Sequence, residues 1–169
     1  HREDAILKIM VPGACIGIFA GWALARFVSV SVVEAAVGLI AIVFAIQRIR
    51  AEHRGVPARL GRAWEGVAMG AAAGFTSQIA HAGGPPFQMH VLPKKLPRDM
   101  FIGTSSVFFA LINWLKVPAY YALGAFTPEN LWLAAALMPA ALASTWAGTV
   151  LVRRIDGPRF YAIMHALMI

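Results

Sequence analysis

Three kinds of polar group gather at a break in an apolar stretch of this chain. They are the amides Gln78 and Gln88, the imidazoles His81 and His90, and the backbone of Gly83-Gly84-Pro85-Pro86. Amide, imidazole and backbone N–H groups are donors, so their common chemistry is recognition of an anion. The stretch runs from Gly66 to Pro93, GVAMGAAAGFTSQIAHAGGPPFQMHVLP: a small-residue helix, the break, then a short apolar run from Phe87 to Leu92. A helix broken inside a hydrophobic segment exposes N–H and C=O groups that lipid cannot satisfy. Such a break must be buried in protein or line a polar cavity. A second arm beginning near Pro86 aims the positive end of its dipole, and its first-turn N–H groups, at the break. Gly83 and Gly84 permit close backbone approach, and proline suits a first helical turn. A tight turn with no ligand would use the same residues, and both readings stand at this stage.

Further along the chain, Thr104, Ser105 and Ser106 fall in the first turns of an apolar segment, followed by Asn113 and Lys116. The hydroxyls either face an oxyanion or bond back to carbonyls of their own helix. Asn113 either bridges helices or lines a path, because an amide is costly to leave unpaired in lipid. Lys116, about 24 Å along a helix from Met100, either attracts an anion at an outer vestibule or snorkels to water. His81 is either a proton-coupled switch or a polar group satisfied by a nearby carbonyl. His90 reads as solvated at the inner interface, and Glu34 as paired with Arg26 or simply exposed, with a coupling acid as the alternative. His81 and His90 straddle the break at no metal-ligand spacing, and no metal or cofactor is expected.

Several elements must hold these groups. The chain has 169 residues, is 59% hydrophobic and 14% charged, and has a mean hydropathy of +0.67. A soluble domain carries about 25% charged residues, and the apolar blocks here reach the roughly 20 residues a bilayer crossing needs. The class is therefore an all-α polytopic membrane protein. The net charge of +7 then reads as a cytoplasmic excess of Lys and Arg, and nucleic acid is not an expected partner. The single cysteine, Cys15, excludes an intrachain disulfide and reads as a buried structural thiol.

Membrane-spanning segments are expected at about 5–27, 30–47, 100–123 and 131–152, with a basic cytoplasmic loop over 48–65 and a last segment, 160–169, too short to cross. Gly13, Gly17 and Gly21 give the first span a small-residue face for close helix approach, and Trp22, Tyr120, Tyr121 and Trp132 read as an aromatic belt. If 66–93 is a re-entrant hairpin, every Lys and Arg except Arg26 and Lys116 lies on one side, and the positive-inside rule favours that topology. The start at His1 and the short last segment point to a piece of a longer protein. The first and fourth spans also match at a constant offset: Pro12…Phe19-Ala20-Gly21-Trp22-Ala23-Leu24-Ala25-Arg26 against Pro139…Trp146-Ala147-Gly148-Thr149-Val150-Leu151-Val152-Arg153. With the hairpin between them they run in opposite directions, which is an inverted-topology repeat with a site expected at the repeat interface. A chance likeness between two Ala/Gly-rich helices is the plainer account.

These residues resemble the sulfite exporter TauE/SafE family of bacterial membrane transport proteins. The resemblance rests on Gly74-Phe75-Thr76-Ser77…Ala82-Gly83-Gly84-Pro85-Pro86, Phe101-Ile102-Gly103-Thr104-Ser105-Ser106, Asn113-Trp114-Leu115-Lys116, Tyr121-Ala122-Leu123-Gly124 and Pro12-Gly13, and it covers nearly the whole chain. It implies two homologous halves, each with a glycine-rich broken element. On that plan, 1–47 holds the last two helices of the first half and 66–169 the second half. Pro85-Pro86 replaces glycines usual in the family's break. The expected function is secondary transport of small sulfur-containing or organic anions such as sulfite or sulfonates across a bacterial inner membrane. The substrate contacts would come from Gln78, His81, Gly83, Gly84, Pro85, Pro86, Gln88, Thr104, Ser105, Asn113 and Lys116. The partners are a small anion and membrane lipid, with a proton or sodium ion as coupling ion and room for a homo-oligomer. A non-transporting membrane scaffold and an intramembrane enzyme are the alternatives. The second lacks a paired-aspartate, His-Glu-x-x-His or Ser/His arrangement on a spanning helix.

Overall fold

Glycines at every fourth position decide how the first two helices meet. The computed structural model describes residues 3–25, 27, 62–156 and 159–160, with single positions 35, 38, 39, 42, 46 and 163. The expected second span, the Glu34–Arg26 pair, most of the basic loop and nearly all of the last segment lie outside the described residues. The described elements are α1 (Asp4–Ala25), α2 (Ala63–Ala80), α3 (Gly84–Val91), a 3-10 turn (Leu92–Lys94), α4 (Arg98–Ala122) and α5 (Pro128–Arg153). Helices α1, α4 and α5 are long and apolar enough to cross a membrane. The architecture is that of an all-α polytopic membrane protein.

The chain divides into two compact units, His1–Lys116 and Val117–Ile169. In the first unit, α1 and α2 interlock through glycines on both sides. A Cβ on Gly13 or Gly17 would fall on the backbone of Val67 or Ala71, and one on Gly70 or Gly74 on the backbone of Met10 or Ala14. The paired positions advance together along both helices, so α1 and α2 run parallel. Without hydrophobic force between helices in lipid, this close approach and its dispersion contacts hold the pair. The same geometry turns Cys15 and Ile16 outward. Cys15 is exposed rather than the buried thiol expected, because the helix surface at Gly13, Ala14 and Gly17 is the one turned to α2.

After α2 the backbone reverses at His81, a left-handed residue with φ 54° whose N–H donates to the Ser77 carbonyl. Helix α3 then returns alongside α2. Gly83, which caps its start, lies against Ala73 and Ser77, and His90 near its end lies against Gly66. The expected hairpin is thus present as backbone geometry, but its arms are unequal. Helix α2 has 18 residues and α3 has 8, or about 27 Å and 12 Å of helix. The reversal therefore sits far from the basic residues Arg62, Lys94 and Lys95 that flank the hairpin.

Helix α4 buries one stripe: Phe101, Thr104, Phe108, Ile112 and Lys116 are its buried residues. Phe87 of α3, 1% exposed, stacks on Phe108 at 4.9 Å and meets Phe109 at 5.3 Å and Phe101 at 6.2 Å. Near the start of α4, Thr104 Oγ1 accepts the N–H of Glu3 at 2.8 Å, which ties α4 to the beginning of α1. In the second unit, Gly124 turns the chain at φ +71°. Thr127 then caps α5 by accepting the N–H of Asn130 at 3.2 Å.

Candidate functional site

The site is built at the reversal, where three elements deliver polar groups. Ser77 and Gln78, in the last turn of α2, are buried. Gln78 packs on Gly21 of α1, where a Cβ would lie 3.1 Å from the glutamine Cβ. Ser77 meets Gly83 and α4 instead. Lys116 of α4 places its ammonium 3.0 Å from Ser77 Oγ and 3.3 Å from the Ser77 carbonyl oxygen, donating to both. Lys116 is only 2% exposed, so it does not snorkel to water. Its amine lies instead at the C-terminal end of α2, the negative end of that helix's dipole.

The two glycines of the break have different surroundings. A Cβ on Gly83 would meet the Ala73 carbonyl oxygen at 2.9 Å and Ser77 Cβ at 3.0 Å, whereas one on Gly84 would meet nothing within 4 Å. Gly83 has φ −74°, so it is glycine for proximity and not for backbone conformation. Gly84 opens onto free space, and Gln88 follows it one turn along the same face of α3. The Gln88 amide oxygen is buried with no hydrogen-bond partner. Its amide can be turned to present the N–H₂ group instead.

Helix α3 begins at Gly84, two residues before the expected start, with Pro85 and Pro86 in its first turn. Prolines carry no N–H. Of the four orphan donors a helix start leaves, only those of Gly83 and Gly84 therefore remain, and the Phe87 N–H is already directed to the Gly83 carbonyl. A phosphate-loop style cradle of many amides is not formed here; the positive charge at the break comes from Lys116. Pro86 is buried and Pro85 half-buried, while His81 is exposed at the reversal.

Thr104, Ser105 and Asn113 are placed elsewhere. Thr104 is fully buried and engaged with Glu3. The Ser105 hydroxyl donates to the Ile102 carbonyl at 2.9 Å, and the phenylalanine cluster lies between these residues and the break. Asn113 is on the exposed face of α4. His90, outside the three long apolar helices, is half-buried beside Gly66. Burial first, and the Lys94 charge second, hold its imidazole below the ordinary value, while Glu65 opposes them. Among the described residues no cluster of His, Cys, Asp and Glu could hold a metal ion. The residue that sequence reasoning missed is Ser77, whose available signal was its place one turn before the break.

A family model for the sulfite exporter TauE/SafE family matches residues 2–169. The chain belongs to that family. No curated protein and no solved structure matches the chain. For a TauE/SafE member, a buried cation beside a broken helix fits a membrane protein that handles sulfite-type anions.

Proposed function

We propose that this chain forms one side of the substrate path of a secondary transporter for small sulfur-containing or organic anions, with the 81–86 break as its binding element. One observation carries the reading: a buried lysine from α4 brings its ammonium to the helix break of the hairpin. An ionisable group within a membrane-spanning segment is expensive and by default functional. Here it supplies the charge that an anion would seek.

On this reading Lys116 attracts the anion. Gly83 and Gly84 give it their N–H groups, Gln88 its amide, and Gln78 and His81 border the site. Pro85 and Pro86 fix the entry of α3. Thr104 holds α4 to the start of α1 through Glu3, and Ser105 and Asn113 stand away from the break. The hairpin is re-entrant, with Arg62 and Lys94 on the cytoplasmic side of the inner membrane. The protein acts as a permease and not as an enzyme.

The test is flux of radiolabelled sulfite into liposomes containing the protein. Saturable flux is expected, with Lys116→Gln lowering it about tenfold or more, the scale of one hydrogen bond to a charged group. Absence of saturable flux of sulfite and of sulfonates from folded protein would refute the transport reading.

A further inference from the structure

We propose that the Lys116 ammonium is a tethered cation filling a monovalent-cation site at the C-terminal end of α2, so that transport proceeds without a sodium ion bound there. This rests on the transporter reading above.

In transporters built on broken helices, the C-terminal ends of half-helices and unwound carbonyls are the places that coordinate sodium, while N-terminal ends face the anionic substrate. Both ends are present at this break. Helix α3 presents its N-terminal end through Gly83 and Gly84, and α2 presents its C-terminal end through its last turn, Ser77 to Ala80. A serine hydroxyl and the carbonyl of the same residue form a pair of oxygen ligands of the kind a hard monovalent cation takes. Lys116 Nζ lies 3.0 Å from the hydroxyl and 3.3 Å from the carbonyl.

The site is built from two helices. Ser77 is 4% and Lys116 2% exposed, and they are 39 residues apart in sequence. Ser77 Cβ also meets the place a Cβ would take on Gly83, so the cation position and the substrate side of the break share one wall. The Thr76 hydroxyl donates to the Ala72 carbonyl of its own helix at 2.8 Å. The negative dipole end of α2 favours any cation here. An ammonium carried on α4 occupies the position permanently and adds its charge to the anion site.

The experiment measures sulfite flux and thermal unfolding for wild type and Lys116→Ser in sodium, choline and methylammonium chloride. Wild-type flux should agree within about twofold in sodium and choline. A serine leaves room for a free cation, so Lys116→Ser should lose about tenfold or more of the flux in choline and recover in sodium or methylammonium. Its unfolding temperature should rise with those two cations over choline, and the added Ser77→Ala change should abolish the rise.

A sodium requirement in the wild type would overturn the proposal. So would a folded Lys116→Ser protein that neither cation rescues or stabilises. A Lys116→Ser protein that folds only with methylammonium or sodium present would support it. If wild type moves no sulfite in any salt, the transporter reading fails, whereas the unfolding measurements still decide whether the cation site exists.

Discussion

Lys116 and Ser77 join α4 to the last turn of the hairpin's first arm, with the ammonium 3.0 Å from the serine hydroxyl. This contact turns the break from a bare reversal into a charged one. It also separates two roles that the glycines alone would confuse, since Gly83 abuts Ser77 and Gly84 does not.

That difference gives a clean comparison of two adjacent alanine variants. Gly83→Ala places a methyl group 2.9 Å from the Ala73 carbonyl oxygen and 3.0 Å from Ser77 Cβ, an overpacking expected to cost about 1–3 kcal/mol. Gly84→Ala meets no atom within 4 Å, so its stability should stay within about 0.5 kcal/mol of wild type. Thermal unfolding in detergent measures both. Equal melting temperatures for the two variants would contradict the packing described at the reversal.

The hairpin's return arm is fixed by one ring. Phe87 is 1% exposed and touches three phenylalanines of α4, so Phe87→Ala should destabilise the fold by about 3–5 kcal/mol. Phe87→Leu keeps most of the volume and should recover more than half of the loss in melting temperature. A Phe87→Ala protein that melts like wild type would mean that α3 is not anchored on α4.

The described helices, the chain reversal at the break and the small-residue face of α1 were legible in the sequence because each rests on a local signal: block length, a glycine-proline break, or glycine spacing of four. The register of α1 on α2 was half legible. Gly66, Gly70 and Gly74 repeat the spacing of Gly13, Gly17 and Gly21, but only the structure shows the two rows interlocking. The burial of Lys116 was not legible, because it depends on Ser77, which is distant in sequence. Asn113 and Lys116 are three residues apart on one helix, yet Asn113 is exposed while Lys116 belongs to the buried stripe with Thr104, Phe108 and Ile112. The poverty of donors at the start of α3 was written in Pro85-Pro86 themselves, since neither residue has an N–H to give.

A pH response should arise at the other end of the hairpin. Burial lowers the His90 pKa from 6.5, so the fold favours neutral imidazole. Its contribution is therefore complete above pH 6.5 and is lost as pH falls, because the unfolded chain binds the proton first. Melting temperature measured between pH 8 and pH 5 should decline on the acid side, and His90→Gln should flatten that decline. An unchanged slope in the variant would show that His90 is not the group responsible.

The sidedness of the hairpin can be read chemically, because its two ends and the α4–α5 turn have separate expectations. In a Cys15→Ser background, which removes the exposed native thiol, single cysteines at Arg62 and Lys94 should react with an impermeant maleimide from the cytoplasmic side. One at Gly124, after the full length of α4, should react from the outside. Helix α3 returns beside α2 with His90 against Gly66, and its 8 residues are too few to carry the chain across a bilayer, which takes about 20. Opposite-side labelling of Arg62→Cys and Lys94→Cys would thus demand a different packing of α3. Same-side labelling of Lys94→Cys and Gly124→Cys would instead remove α4 as a crossing helix. Either outcome would move Lys116 out of the position from which it serves the break.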